Sequence, residues 1–334
     1  MGLKKKNQDF DTGGELMTYI CADRGSEKCP CILMEAGQCY TCSMIQTGKC
    51  SCMWQGICPY TEYKQAGENP KPVYREREFV VTERKDFSPV LTTVTLKVPL
   101  AYAFKCREPG SFIIVRANGW QVPLSVMKSY TATDDEAFGT SEFWEAGRIV
   151  LAVNAAGPKT IDLLKRCSVG SIWSLRGPYF SGLVRKEIFN PKALSIVAAR
   201  GMAIMPLINM KQLIGGNLAS FCLDSKKLPE SFKEKYLADF EYETIDLEND
   251  IRKTACDLMK AREFCIESTG LKPNLLLMVS PYYAEALIRE MNIDCSETIS
   301  PNNANVCCGE GICGACSHTG EDGITVRACK CFEL

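Results

Sequence analysis

The stretch Cys308-Gly-Glu-Gly-Ile-Cys313-Gly-Ala-Cys316, followed by Cys329, decides how this chain is interpreted. Its spacing is C-x4-C-x2-C-x12-C, close to the plant-type [2Fe-2S] arrangement in which three ligands come from one loop. Glycines between the cysteines allow the backbone to turn around a cluster, because glycine adopts positive φ without a Cβ clash. A four-cysteine zinc ribbon is the alternative, but such sites usually pair two C-x2-C knuckles. We therefore predict a [2Fe-2S] cluster on these four cysteines.

Composition restricts the chemistry further. The 334 residues carry nearly balanced charge, Lys+Arg 39 against Asp+Glu 40, so no basic excess indicates nucleic acid as a partner. The chain has 20 cysteines and a single histidine, His318. One imidazole excludes a Rieske cluster and argues against zinc or triad chemistry that needs several histidines. The chemistry must depend on sulfur or on a bound cofactor.

The compartment decides how the cysteines are interpreted. The N-terminus lacks the apolar stretch of a secretory signal, and the longest apolar run, 193–210, is interrupted by Arg200 and Pro206. We expect a cytoplasmic protein with no membrane partner, a secreted form being the alternative. Thiols stay reduced in the cytosol, so dense cysteines there favour metal ligation over disulfides.

Residues 1–72 are predicted to form a cysteine-rich, metal-bound module and its linker. Eight thiols suit two four-coordinate sites, and a segment this poor in aliphatic residues needs ligation for stability. We expect at least one [4Fe-4S] cluster. The alternatives are one cluster with spare thiols, or structural zinc. The candidate ligands are Cys21, Cys29, Cys31, Cys39, Cys42, Cys50, Cys52 and Cys58.

Two further domains are predicted between the cysteine-rich ends. Residues 73–187 contain short alternating β segments, for example Leu91-Thr-Thr-Val-Thr-Leu-Lys-Val98, which are typical of a small antiparallel barrel. Residues 188–295 alternate apolar strands with helical patterns, as in Leu194-Ser-Ile-Val-Ala-Ala199, which indicates an α/β domain with a parallel sheet. Residues 296–334 form the small cluster module. The six cysteines scattered from Cys106 to Cys295 are interpreted as core or bystander thiols.

The C-terminal motif, read with Arg327-Ala-Cys329-Lys330, resembles the electron-transfer subunit of bacterial dihydroorotate dehydrogenase. That subunit is a member of the ferredoxin-NADP reductase superfamily. The resemblance implies a β-barrel that binds FAD, an α/β domain that binds a nicotinamide nucleotide, and then the [2Fe-2S] cluster. It also implies a catalytic partner subunit, and the departures in the nicotinamide motifs described below favour a protein partner or a ferredoxin as the electron donor.

The resemblance implies where FAD would bind. Trp120-Gln-Val-Pro123-Leu-Ser125 is similar to the family's Arg-Pro-aromatic-Ser flavin motif, but its arginine is replaced, with Gln121 and Val122 in that region. Ala155-Ala-Gly157-Pro-Lys159-Thr160 resembles the phosphate loop, followed by a possible helix over 160–166, and Gly177-Pro178 matches the turn that closes the barrel. The candidate FAD residues are Trp120, Pro123, Leu124, Ser125, Gly157, Lys159, Thr160, Gly177 and Pro178.

The nicotinamide motifs depart from the family. Arg200-Gly201-Met-Ala203-Ile-Met-Pro206 stands where the family has Gly-Gly-x-Gly-x-Ala-Pro, and Val279-Ser280-Pro281 stands where it has Cys-Gly-Pro. Lost glycines obstruct a close backbone approach to a dinucleotide, so NAD(P)H binding is doubtful. Arg200 is expected either to fill the phosphate space or to bind a phosphate.

The leading hypothesis is an electron-transfer iron-sulfur flavoprotein, in which a two-electron flavin exchanges electrons with one-electron clusters for a partner oxidoreductase. A cofactor-bearing sensor without turnover, a zinc-stapled adaptor and an NAD(P)H-dependent reductase subunit are the alternatives.

Overall fold

The computed structural model describes residues 76–117, 120–131, 146–303, 306, 309, 315–319 and 325–329. Residues 76–303 form one compact unit, and the described residues after 303 belong to another. The predicted N-terminal module lies outside the described residues. The two units are described separately below.

The first part of the larger unit is a closed antiparallel barrel of six strands. Neighbouring strands follow the order β1-β2-β5-β4-β3-β6, and β6 closes the barrel by pairing with β1. The strands are β1 (Arg77–Asp86), β2 (Leu91–Pro99), β3 (Phe112–Ala117), β4 (Trp120–Tyr130), β5 (Ala146–Asn154) and β6 (Ile172–Tyr179).

Alternation along these strands sorts their side chains. Val94, Leu96 and Val98 of β2 point into the barrel, where they pack with Ile149 and Leu151 of β5. Because successive side chains in a strand point to opposite faces, the residues between them face outward. The alternation of apolar residues along β2 therefore reflects the side chains that fill the barrel interior. The predicted antiparallel barrel is confirmed.

Two helices accompany the barrel: α1 (Leu100–Lys105) and α2 (Pro158–Lys165). The helix that the sequence predicted over 160–166 begins earlier, because Gly157 is extended at the N-cap and Pro158 takes the first helical position, where its missing N–H has no cost. Leu163 and Leu164 of α2 pack into the barrel core, so α2 is held against the barrel by its apolar face.

An α/β domain follows, with a six-stranded sheet in the order β10-β9-β8-β11-β12-β7. Pairs from β10 to β12 are parallel, and β7 pairs antiparallel with β12. The strands are β7 (Leu183–Val184), β8 (Ser195–Arg200), β9 (Leu218–Asp224), β10 (Glu243–Thr244), β11 (Asn274–Met278) and β12 (Thr298–Pro301). The helices are α3 (Met205–Asn209), α4 (Lys211–Ile214), α5 (Glu230–Tyr236), α6 (Ile251–Thr269) and α7 (Pro281–Met291). The predicted parallel α/β domain is confirmed.

Barrel and α/β domain share a core inside the larger unit. Met127 and Val150 from the outer face of the barrel pack with Leu207 and Ile208 of α3. The Asn209 side chain at the end of α3 also donates to the Cys106 carbonyl oxygen, 3.0 Å away. The sheet extends beyond residue 295, since β12 lies in it.

The smaller unit contributes a two-stranded antiparallel hairpin, β13 (Ser317–Thr319) with β14 (Thr325–Arg327). Among the described residues, the search for a long, apolar, membrane-spanning helix finds none.

Candidate flavin and iron-sulfur sites

The predicted flavin motif lies on β4, where alternation divides it between two faces. Val122 and Leu124 are buried in the barrel core, so only the backbone of Leu124 is available to a ligand. Gln121, Pro123 and Ser125 are partly or fully exposed on the outer face. Trp120 begins the strand, with its backbone paired to Ala117. A flavin bound by this motif would therefore lie against the outside of the barrel.

A buried arginine reaches the same face from another strand. Arg176 on β6 is 4% exposed, and its Nη2 donates to the Gln121 side-chain oxygen. Arg176 was not predicted from the sequence, because it lies two strands away from β4 in the barrel and outside the flavin motif. Its position immediately before Gly177-Pro178 is the one local signal that could have drawn attention to it.

The Gly177-Pro178 peptide lies inside β6, beside Arg176. Gly177 has a φ of +117°, a conformation that favours glycine. Pro178 is buried, and the following Tyr179 ring stacks on Phe112 with 5.2 Å between ring centroids. These contacts hold the end of β6 against β3.

The predicted phosphate loop lies at the N-terminus of α2. The Thr160 hydroxyl donates to the Gly157 carbonyl oxygen at 3.1 Å and accepts from the Gly157 amide at 3.4 Å, so it is already engaged in capping the helix. Lys159 is exposed. A Cβ built on Gly157 would meet no atom within 4 Å, which leaves open space in front of the helix N-terminus, where anions are favoured.

Strand register brings these elements to one end of the barrel. Val126 pairs with Leu151 across β4 and β5, so the start of β4 lies near the residues that follow Asn154 and lead into α2. The donors present, namely a buried guanidinium, a helix N-terminus and an outward serine, suit a phosphorylated flavin. The residues therefore fit FAD in chemical type.

Of the four cysteines predicted to bind the [2Fe-2S] cluster, Cys316 and Cys329 lie among the described residues. Cys316 and Cys329 flank the β13–β14 hairpin, and both are buried with Ala328 and Val306. The Cys329 amide donates to Cys316 Sγ at 3.4 Å, and the Ala328 amide donates to the Cys316 carbonyl oxygen at 3.0 Å. An amide N–H directed at sulfur stabilises negative charge there, as a ligating thiolate requires.

The remaining predicted ligands lie outside the described residues, namely Cys308, Cys313 and all eight N-terminal cysteines. Among the described residues, no three Cys, His, Asp or Glu side chains converge on a metal position. Gly309, within the ligand loop, has a φ of +69°. This agrees with the prediction that the loop needs glycine for its turn.

The carboxyl edge of the parallel sheet is where α/β folds bind nucleotides, and here an internal ion cluster occupies it. Arg200 ends β8, and its Nε lies 3.0 Å from Asp224 Oδ2 at the end of β9. Its Nη2 pairs with Glu248, and its guanidinium lies 4.5 Å from the centre of the Tyr283 ring near the start of α7. The charge of Arg200 is therefore paired with carboxylates of the protein itself.

The carboxylate at the centre of this cluster is fully buried. Asp224 is 0% exposed, and its Oδ2 also accepts from the Leu247 amide at 3.3 Å. Arg200 was predicted from the sequence as a residue of this edge, whereas Asp224, Glu248 and Tyr283 were not. An acidic residue that ends a strand in an α/β pattern is the signal that could have identified Asp224.

The middle cysteines divide into two groups. Cys106, Cys167, Cys222 and Cys265 are buried as expected, whereas Cys256 and Cys295 are exposed. The four buried thiols are core residues and the two exposed ones are bystanders in the sense of the prediction; Cys256 lies on α6 next to the buried Ala255. Burial raises the pKa of Cys106 to about 12 and that of Cys167 to about 11.

Comparison with known proteins places the fold. No family model matches the sequence, and no curated protein matches it. The structure is similar to that of an NADH-dependent reduced ferredoxin-NADP oxidoreductase studied for flavin-based electron bifurcation, with a TM-score of 0.50 and 15% identity over 75% of this chain and 85% of that chain. A phthalate dioxygenase reductase gives a TM-score of 0.47 and 13% identity over 75% of each chain. A ferredoxin NADP+ reductase from Neisseria gonorrhoeae gives 0.44 and 14% identity over 65% of this chain and 90% of that chain.

Identities this low show a shared fold and leave function to the site. In this chain a closed six-stranded antiparallel barrel precedes an α/β domain. The chain therefore shares its fold with the structure of the NADH-dependent reduced ferredoxin-NADP oxidoreductase.

Proposed function

We propose that this protein is an electron-transfer flavoprotein, with FAD on the outer face of the barrel and a [2Fe-2S] cluster on Cys308, Cys313, Cys316 and Cys329. The observation that carries the proposal is the buried Cys316–Cys329 pair, in which a backbone amide is directed at Cys316 Sγ. These are two of the four ligands that the spacing predicts. FAD and a cluster on these cysteines would give the chain a two-electron and a one-electron carrier.

The chemistry requires no acid or base from the protein. FAD supplies the ability to exchange electrons in pairs or singly, and an iron-sulfur cluster exchanges them singly. The protein positions the two groups and excludes water. A chain with one histidine, exposed on β13, is well suited to that role.

The electron donor is proposed to be a protein. A nicotinamide nucleotide needs the carboxyl edge of the α/β sheet, but Arg200 is already paired there with two carboxylates, Asp224 and Glu248. Arg200 and Ala203 stand where the family motif has glycines. A ferredoxin or a catalytic partner subunit is the donor that this arrangement favours, as in the dihydroorotate dehydrogenase subunit that the sequence resembles.

The N-terminal thiols are proposed to hold further redox centres, at least one of them [4Fe-4S], in a cytoplasmic complex. The support is compositional: eight cysteines between Cys21 and Cys58 suit two four-coordinate sites.

Anaerobic absorption spectroscopy with metal analysis tests the proposal. We expect visible flavin absorption bands, at about one FAD per chain, superimposed on broad iron-sulfur absorption. Iron and acid-labile sulfide should both exceed two per chain. A colourless protein with stoichiometric zinc and no flavin would contradict the proposal.

A further inference from the structure

Arg176 is a cation buried on the outer face of the barrel. Its neighbours Trp173 and Leu175 point into the barrel core, so by alternation Ser174 and Arg176 point outward. Yet Arg176 is only 4% exposed. A guanidinium withdrawn from water to this extent needs charged or multiple hydrogen-bond partners.

The partner that Arg176 has in the described part of the chain is neutral. Its Nη2 donates to the Gln121 side-chain oxygen, whereas a guanidinium has five N–H donors. Among the described residues no carboxylate forms an ion pair with it. Glu76, which reaches the same strands, is engaged by Arg116 at 3.2 Å and by the Ser174 hydroxyl at 3.1 Å. Arg176 therefore carries a charge with no counter-ion in the described chain.

Its position in the barrel indicates which anion would pair with it. Ile114 of β3 pairs with Arg176 on one side and with Pro123 on the other, so Arg176 lies in the row of the flavin motif. Its side chain crosses β3 and ends at Gln121, in the region where the flavin motif lacks its arginine. The guanidinium therefore lies on the same outer face as Pro123 and Ser125 of that motif, although it comes from a different strand.

We propose that Arg176 is the anion anchor of the flavin site: its guanidinium binds the pyrophosphate of FAD, and Gln121 positions it. The inference rests on the proposed function and adds a residue that the flavin motif does not contain. A guanidinium matches phosphate oxygens with two parallel hydrogen bonds. The otherwise uncompensated charge of Arg176 is then paired by the ligand.

The test compares a flavin that has the pyrophosphate with one that lacks any phosphate. Full-length protein, purified anaerobically and freed of flavin, is titrated with FAD and with riboflavin, and each Kd is measured by flavin fluorescence. We expect Arg176→Ala to weaken FAD binding about 10- to 100-fold, the range for a charge-assisted hydrogen bond, and to change riboflavin binding less than twofold. Arg176→Lys should give an intermediate loss.

Two further variants guard against a folding defect. Gln121→Glu leaves Arg176 in place but gives it an internal counter-ion, so it should weaken FAD binding at least tenfold, again without changing riboflavin binding. Arg116→Ala is the matched control, because Arg116 lies on the same face but is paired with Glu76, and it should stay within twofold of the unmodified protein for both flavins.

The outcomes separate the inference from the function on which it rests. Equal FAD affinity in the unmodified protein, Arg176→Ala and Gln121→Glu would overturn the anchor. Equal losses of FAD and riboflavin binding would also overturn it, because Arg176 would then be structural only. If the unmodified protein binds neither flavin, the proposed function fails as well, and this result is distinct from the other two.

Discussion

Arg200 forms a buried ion pair at the carboxyl edge of the α/β sheet. Removing its side chain leaves the fully buried Asp224 without its cation. Breaking a buried ion pair in this way typically costs 3 to 5 kcal/mol. We expect Arg200→Ala to lower the free energy of unfolding by about 3 kcal/mol, measured by urea denaturation followed by circular dichroism.

The control for this prediction is a surface ion pair. Arg252 is 86% exposed and lies 3.3 Å from Glu290, so Arg252→Ala should change the free energy of unfolding by less than about 1 kcal/mol. The double variant Arg200→Ala/Asp224→Ala should recover part of the loss. If Arg200→Ala and Arg252→Ala lowered the free energy of unfolding equally, the buried Arg200–Asp224 pair would contribute no more to stability than a surface ion pair.

The middle cysteines are predicted to differ sharply in reactivity. Thiolates react and thiols do not, and burial raises the pKa of Cys106 to about 12 and of Cys167 to about 11. At pH 8, iodoacetamide should label the exposed Cys256 and Cys295 at least about 100-fold faster than Cys106 and Cys167. Peptide mass spectrometry measures the labelling rate of each cysteine. Raising the pH to 9 should leave Cys106 and Cys167 unlabelled, because their pKa values remain higher. Rapid native-state labelling of Cys106 would contradict its burial.

Residues that act in pairs across the fold escaped prediction. The missing motif arginine was visible in the sequence, and so was the odd position of Arg200. Their partners were not, because Arg176 meets Gln121, and Arg200 meets Glu248, only after the strands have paired. The local alternation of apolar and polar residues predicts whether a side chain faces the core or the solvent. It does not predict which distant residue that side chain will contact, because this depends on how the strands pair.

At the scale of elements, α2 is held at both ends. Arg84 of β1 donates through Nη1 to the carbonyl oxygens of Leu164 at 2.9 Å and Cys167 at 2.6 Å, at the end of α2 and just beyond it. The Leu164 oxygen also accepts from the Cys167 amide at 3.2 Å. At the other end, the Thr160 side chain caps Gly157. Together these bonds fix the N-terminus that faces the proposed flavin phosphates.

We expect Arg84→Ala to lower the free energy of unfolding by about 1 to 3 kcal/mol, because two acceptors lose a charged donor. Urea denaturation measures this, with Lys97→Ala on the exposed face of β2 as the control. A free energy within 0.5 kcal/mol of the unmodified protein would show that Arg84 contributes little, on the scale of ordinary surface substitutions.

The two cysteines that flank the C-terminal hairpin, Cys316 and Cys329, are predicted to be ligands of the cluster. Cys316→Ser or Cys329→Ser should abolish the reduced [2Fe-2S] signal in electron paramagnetic resonance, because a hydroxyl is a poorer and harder donor to iron. Cys331→Ser, outside the ligand spacing, should leave the signal unchanged. An unaltered signal in both ligand variants would contradict the assignment.

Elements with a repeating pattern were predictable, and short ones were not. The alternation in Leu91–Val98 and the apolar run 194–199 mark β2 and β8 because each strand meets a continuous core. The strand Leu183–Val184 pairs with Thr298–Pro301, although the two strands lie at opposite ends of the α/β domain in the sequence. A two-residue strand carries no period, so its place in the sheet is decided by tertiary pairing alone.

At the scale of the whole molecule, the two domains of the larger unit have different roles. The barrel presents an outward cation and an open helix N-terminus, both suited to a phosphorylated flavin. The α/β domain keeps the parallel sheet, but its carboxyl edge is filled by Arg200 and its partners. The proposed flow of electrons therefore enters from a protein partner and reaches the flavin without a nicotinamide.

Stopped-flow reduction of the anaerobic, flavin-loaded protein tests this account most directly. The visible flavin band is followed after mixing with NADH, with NADPH, or with reduced ferredoxin. The account predicts rapid bleaching by reduced ferredoxin and little or none by either nicotinamide at micromolar concentration. Rapid bleaching by micromolar NADH would contradict it, because the edge that Arg200 and Asp224 occupy would then be open to the nucleotide.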